Sequence, residues 1–382
     1  SPIRHDYFTI YAKKERIECT VLRILTNHNT RRNRSVKKHN GRCAQTPFQS
    51  QRIPLIKVAK KCWNLLMLVS WHFYSVFMVE VLQVLSVSFA TVGICALLRF
   101  WRYNRRNRLP VNRETARQIM QKALEMNRFH SFSAQQLADM IRSGSATSTE
   151  ITNAHIDHIK LVNPLLNAVV RDRFDEALQE AAAADDLITK YKAEGISLDT
   201  LPPLHGVPCT VKECFALTGM PNASGLVSRK DVIASEDATV VKRIREAGAI
   251  PMAVTNTSEL CMWMESHNSL YGRTRNPYDL SRIVGGSSGG EGSIIGSGAS
   301  PFGVGSDIGG SIRMPAFFNG VFGHKPSGGL IPGTGQYPVA GGVALKYLTT
   351  GPLCRKAEDL AFLSTIMMGP DEQDEGCVEF PE

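Results

Sequence analysis

Residues 283–292 read IVGGSSGGEG, a glycine-rich run with two adjacent serines, Ser287 and Ser288, at its centre. Glycine loses more conformational freedom on ordering than any other residue, so an ordered run of it needs a reason. A flexible linker is disfavoured, because the stretch that follows, SIIGSGASPFGVGSDIGGSIRMPAFFNGVFGHKP, is glycine-rich but also apolar. A phosphate loop would close in Gly-Lys-Ser/Thr, and this run does not. The later GVGSDIG, residues 303–309, approaches a dinucleotide fingerprint, but Ile308 stands where its third glycine belongs. The remaining chemistry is nucleophilic catalysis. Residues 285–289 satisfy G-x-S-x-G, the elbow that exposes a serine, and on that pattern Ser287 is the nucleophile.

A nucleophilic serine needs a proton acceptor. The only histidine after Ser287 is His324, too close along the chain for the strands and helices that separate the two in hydrolases of the elbow type. A lysine amine can take the role, since burial favours its neutral form, and Ser-Lys pairs are a known variant of the serine triad. Lys212 meets the requirement. It lies in GVPCTVKE, where its neighbours Val207, Cys209 and Val211 are apolar.

The elements that must position these residues follow from periodicity. From residue 110 onward NRETARQIMQKALEMNRF and SAQQLADMIRSG read as amphipathic helices. A third helix, in SATSTEITNAHIDHIKLVNP, is expected to stop at Asn163-Pro164. NAVVRD is a short strand, followed by a long Ala/Glu-rich helix through Glu194. GVPCTVKE then reads as a strand, DATVVKRIREAG as a helix and AIPMAVTN as another strand. Alternating helix and strand argues for an α/β fold with a largely buried sheet. No internal repeat is evident.

The chain has 382 residues, 43% hydrophobic and 21% charged, as a folded protein does. Its net charge of +9 is unevenly spread. The basic excess lies in residues 1–61 and 99–108, and residues 109–382 are net acidic, so nucleic acid is not an expected partner of the main domain. The nine cysteines form no CxxC pair. Five of them, Cys209, Cys214, Cys261, Cys354 and Cys377, are unevenly spaced in the acidic part, which implies neither a zinc site nor a disulfide framework. His155 and His158 share one helix face without a third ligand nearby and read as structural. No metal and no cofactor are expected.

Residues 1–61, with RRNRSVKKHNGR, read as an unstructured basic leader. Two apolar runs follow, 62–79 and 81–98, separated by Glu80. The second ends in RFWRYNRRNR, the aromatic and cationic flank of a membrane boundary, and is the better candidate for a single transmembrane helix. Met78 just before it is a candidate native start. The organisation expected is a leader over 1–77, not necessarily natural protein, an N-terminal membrane anchor over 78–103 and a catalytic domain over 110–382. The charge step across the anchor puts that domain in the cytosol.

GGSSGGEG, then GVGSDIGGSIRMPAFFNGVFGHKPS, with GVPCTVKE upstream, resembles the amidase signature family. GMPNASGL, DATVVKRIREAGAIPMAVTNTSELCMWMES and YGRTRNPYDLSRIVGGSSGGEG are most similar to its members of the second fatty-acid amide hydrolase type. The resemblance runs from about residue 130 to 369. It implies the amidase signature fold, a central mixed β-sheet covered by helices on both faces. It also implies a Ser-cis-Ser-Lys triad, with Lys212 as base, Ser287 as the bridging serine on a cis peptide bond, and Ser311 as nucleophile. That revises the elbow assignment of Ser287. The backbone amides of Ile308, Gly309, Gly310 and Ser311 match the family's oxyanion hole. Ser288 is expected to order the loop, and Asp307 and Arg313 to form a structural charge pair. Met220 and Met262 are candidates for contact with the acyl chain, with core packing as the alternative for residues 262–264.

The activity so implied is hydrolysis of lipid amides, either primary fatty-acid amides or N-acylethanolamines, through an acyl-enzyme. An endomembrane location with a single-pass anchor goes with it, and the resemblance leaves room for a homodimer. A soluble-substrate amidase or the amidase subunit of an amidotransferase is an alternative, as is an inactive fragment acting as a binding module. The last has a motive, because the family's fold continues well past residue 382 and the chain is expected to lack its C-terminal part.

Overall fold

The computed structural model describes residues 111–378. The basic leader, the anchor and the start expected at Met78 lie outside the described residues. Among the described residues no helix is long and apolar enough to cross a membrane.

Local signals set the first helices. Asn112 accepts from the Thr115 amide and opens α1 (Arg113–Met126). A capping box between Ser133 and Gln136 opens α2 (Ala134–Ser143), which Gly144 closes in the left-handed conformation. Thr147 caps α3 (Ser148–Leu166). This helix does not stop at Asn163-Pro164, as its sequence suggests, but runs through the proline to a left-handed Asn167. Near a helix end a proline forfeits a single hydrogen bond, the one to Lys160, and Lys160 is exposed. Asn163 Oδ1 then accepts the amides of Ala168 and Val169 and leads the chain into the sheet.

Strands β1 (Val169–Asp172), β2 (Pro208–Lys212) and β3 (Ile250–Thr255) alternate with helices α4 (Phe174–Glu194) and α5 (Thr239–Glu246). The short hairpin β4–β5 (His267–Asn268, Gly272–Arg273) and α6 (Gly289–Gly296) precede β6 (Phe302–Asp307). After it come α7 (Arg313–Asn319), β7 (Phe322–Gly323), β8 (Thr349–Cys354) and α8 (Asp359–Met367). The main sheet has six strands in the order β1-β3-β2-β6-β8-β7. Its centre, β3-β2-β6, is parallel, while β1, β8 and β7 pair antiparallel. The sheet is therefore mixed, as expected.

Both faces are covered. Consecutive residues of one strand enter different cores: Val254 and Cys354 pack with α2, α5 and α8, whereas Ala253 and Leu353 pack with α3, α4, α6 and α7. All of β2, β3, β6 and β8 is buried, as strands covered on both faces are, so the polar residues they carry need partners inside the protein. The parallel register sets Lys212 beside Thr255, and Val211 beside Val304. The carboxyl ends of β2, β3 and β6 thus lie together, and the segments that leave them meet at one edge of the sheet.

Candidate active site

Lys212, the last residue of β2, has no exposed surface. A buried amine needs hydrogen-bond partners, and it finds two hydroxyls. Its Nζ donates to Ser287 Oγ at 2.7 Å and to Ser306 Oγ at 3.1 Å. Ser306 comes from β6, the neighbouring parallel strand, and Ser287 from the glycine-rich run that enters α6.

The Gly286–Ser287 peptide bond is cis. Gly286 has to be glycine, since a Cβ there would meet Trp263 O at 2.5 Å and Glu265 N at 2.8 Å. Ser266 clasps the run on both sides of the serine pair. Its Oγ donates toward Ser287 O at 3.0 Å and accepts from the Gly289 amide at 2.7 Å. Every residue of α6 is buried. Among them is Glu291, whose carboxyl accepts from Thr210 Oγ1 at 2.6 Å and Thr255 Oγ1 at 2.8 Å beneath β2 and β3. Burial pushes that carboxyl up to about 8.

Ser311 follows the carboxyl end of β6 and is 9% exposed. Its carbonyl accepts the Ser288 amide at 3.1 Å, and Ser288 Oγ leans toward Ser306 O at 3.4 Å. Ser288 thus ties the segment of Ser311 to the run that carries Ser287. The Ser311 hydroxyl makes no hydrogen bond among the described residues.

Asp307, at the end of β6, organises the turn to Ser311. Its carboxylate accepts the Gly310 amide at 2.7 Å and the Ile312 amide at 3.0 Å. Arg313 grips the same carboxylate through Nε and Nη2, at 3.0 and 2.9 Å. Burial opposes this charge, but the Arg313 guanidinium and the amides outweigh it and hold the carboxyl well below the ordinary carboxylate range. The expected charge pair of Asp307 and Arg313 is present.

Of the four amides expected to face an oxyanion, that of Gly310 is already engaged by Asp307. The amides of Ile308, Gly309 and Ser311 have no acceptor among the described residues. Ile308 is 41% exposed, and the space where a Gly309 Cβ would stand is open for 4 Å. Three donors at an open turn beside a free serine hydroxyl can receive negative charge that develops on a carbonyl oxygen.

The two methionines expected at the substrate separate. Met220 is buried in the core beside Phe215 and Leu217, whereas Met262 is 72% exposed and is followed by exposed Trp263 and Met264. Core packing is thereby excluded for residues 262–264, and Met220 has little surface to offer a ligand. Ser306, Ser266 and Glu291 escaped the sequence reading. Glu291 alone carried a signal, an acidic side chain in a helix otherwise built of Gly, Ser and Ile. His155 and His158 are buried in α3, and the five cysteines among the described residues are free. No cluster of three His, Cys, Asp or Glu able to hold a metal occurs among the described residues.

Residues 150–382 match the model of the Amidase family. Fatty-acid amide hydrolase 2-A of Danio rerio is 58% identical over 241 residues, covering 63% of this chain and 45% of the relative. Fatty-acid amide hydrolase 2 of Homo sapiens is 55% identical over 238 residues, or 62% of this chain and 45% of the relative. The chain spans about half the length of the curated relatives it matches. A solved fatty acid amide hydrolase superposes with a TM-score of 0.59 at 30% identity, covering 66% of this chain and 44% of that one.

Proposed function

The chain belongs to the amidase signature family, and from that premise we propose that it is a serine hydrolase of fatty-acid amides. The observation that carries the reading is the buried 2.7 Å hydrogen bond from Lys212 Nζ to Ser287 Oγ, in a run that the Ser288 amide ties to Ser311 O at 3.1 Å. As a free amine, Lys212 keeps an N–H on Ser306 Oγ and turns its lone pair to Ser287 Oγ. Ser311 Oγ attacks the amide carbon and passes its proton to Ser287, which passes its own to Lys212. The amides of Ile308, Gly309 and Ser311 bind the oxyanion. As the intermediate collapses, the C–N bond breaks. Ser287 then protonates the leaving nitrogen and is reprotonated by Lys212. Water cleaves the resulting ester by the same proton route, releasing the fatty acid and restoring Ser311.

The substrate class rests on the similarity to fatty-acid amide hydrolases of the second type and on the exposed Met262, Trp263 and Met264. The apolar run 81–98 and its aromatic, cationic flank support an anchor in an endomembrane with the domain on its cytosolic side, where substrates of this class dissolve.

A fluorophosphonate probe on the full chain, beside its Ser311→Ala variant, tests the assignment. Label that disappears in the variant, with turnover of a long-chain primary amide ahead of a short-chain one, is the expected result. Label that survives in the variant, or a folded chain that takes none, overturns it.

A further inference from the structure

Glu213 is the first residue after Lys212, and no step of the mechanism uses it. It is fully buried although it carries a carboxyl. Its amide continues the β2–β3 pairing by donating to Thr255 O at 3.0 Å. Its Oε1 accepts from the Ala223 amide and from Tyr271 Oη, both at 2.8 Å, while Oε2 is buried without a partner. A half-satisfied buried carboxyl is costly, and an apolar side chain would fill such a site more cheaply.

What the carboxyl gathers is specific. Asn222 Nδ2 donates to Cys214 O at 2.9 Å, so residues 222–223 are fastened to the end of β2 by both a side-chain amide and the Glu213 carboxyl. One residue on, Ser224 O accepts the Leu260 amide at 2.8 Å, and Ser224 Oγ lies 3.3 Å from Cys261 Sγ. Ser224, Leu260 and Cys261 have φ of 51°, 54° and 58°, a left-handed backbone that non-glycine residues hold only when their surroundings impose it. Cys261 leads directly into Met262, Trp263 and Met264, and the backbone of Trp263 lies against Gly286, next to Ser287. A continuous set of contacts therefore joins the strand of the base to the exposed apolar segment beside the bridging serine.

We propose that Glu213 is a positioning residue that, with Tyr271, holds residues 262–264 in place to receive the acyl chain of the substrate. This rests on the function proposed above. The groups that face the carboxyl are the Tyr271 hydroxyl from the β4–β5 hairpin, the Ala223 and Ser224 amides and the Cys261 thiol; Lys212 and Cys214 flank it along the chain, and Arg171 of β1 acts on the Tyr271 hydroxyl. Burial pushes the Glu213 carboxyl up to about 7, so its charge is set near neutral pH.

The test uses the full chain, Glu213→Gln and Tyr271→Phe, with two readouts. In turnover, each variant is expected to raise KM for a long-chain primary amide about tenfold while kcat falls less than about threefold. A loss of kcat with KM unchanged overturns the proposal. The second readout needs no turnover. Trp263 emission, taken as the difference from Trp263→Phe, is expected to shift with a midpoint near pH 7 in the wild-type chain and to lose that midpoint in Glu213→Gln. A midpoint that survives in Glu213→Gln, or none in the wild-type chain, overturns it. A wild-type chain that hydrolyses no long-chain amide sinks the proposed substrate, while the emission still reports on Glu213. Tyr271→Phe removes one of the two hydrogen bonds at Oε1 without touching the carboxyl, so the test survives a Glu213→Gln chain that does not fold.

Discussion

Asp307 and Arg313 are joined by two hydrogen bonds, Nε to Oδ2 at 3.0 Å and Nη2 to Oδ1 at 2.9 Å, and they differ sharply in exposure. The Asp307 side chain has no exposed surface, whereas that of Arg313 is 54% exposed. The carboxylate also holds the amides that shape the turn to Ser311, so the two ends of the pair have unequal value. Asp307→Asn takes away an acceptor on which the Gly310 and Ile312 amides and Arg313 converge, and is expected to cost about 1–3 kcal/mol, the penalty for leaving buried donors unsatisfied. Arg313→Ala should cost less, since the Gly310 and Ile312 amides and Lys325, at 3.6 Å, still face the carboxylate. Thermal melts of both variants check the order, and a larger loss for Arg313→Ala would contradict it.

Gly303 lies inside β6 and Gly309 in the turn that leaves it. A Cβ on Gly303 would strike Glu291 Oε2 and approach Thr210 O to 3.0 Å, whereas one on Gly309 meets nothing within 4 Å. Gly303→Ala is expected to destabilise by about 1–3 kcal/mol, the range of overpacked cores, while Gly309→Ala stays within about 1 kcal/mol. Chemical denaturation of the two variants side by side measures the difference, and equal midpoints would refute it.

The buried carboxyls also impose a pH dependence. Burial raises Glu213 to about 7 and Glu291 to about 8, so the unfolded chain releases both protons at lower pH than the folded one. Their contribution to stability is full below about pH 4.5 and is lost as pH rises through 7 and 8. Burial lowers His155 to about 4 and His158 to about 3, which acts in the opposite sense: stability is full above about pH 6.5 and is lost as pH falls. Glu291→Gln should therefore flatten the alkaline limb of a melting-temperature profile between pH 5 and 9 and leave the acid limb alone. A variant profile parallel to the wild type would exclude Glu291 as its source.

What could be read in the sequence was whatever a local pattern encodes. The buried strands β2 and β3 stood out between turn signals, and α2 announced itself through the amphipathic period of SAQQLADMIRSG. Lys212 was legible because a cation inside an apolar strand is a contradiction that demands a partner. The partners were not legible, since Ser306 and Ser266 reach the site only through strand order and a hairpin. The elbow pattern at Ser287 describes a turn without saying what approaches it, so the neighbours it meets in the fold could not be read there. Pro164 misled because its penalty depends on how many turns remain after it, and α3 ends soon afterwards. The Gly310 amide was assigned to an oxyanion, but the competing acceptor, Asp307, lies on the same turn in a geometry that spacing alone does not convey.

The parallel pairing of β2 with β6 has a further consequence, for the order in which the molecule is built. Lys212 and Ser287 are 75 residues apart in sequence, and Lys212 and Ser306 are 94 apart. The bond to Ser306 cannot form until β6 has docked beside β2, a long-range closure of the kind that slows folding. Earlier species, however compact, hold the serines and the lysine on unconnected pieces of chain. With Ser311 in the proposed role of nucleophile, probe capture during refolding would time the closing of the central sheet.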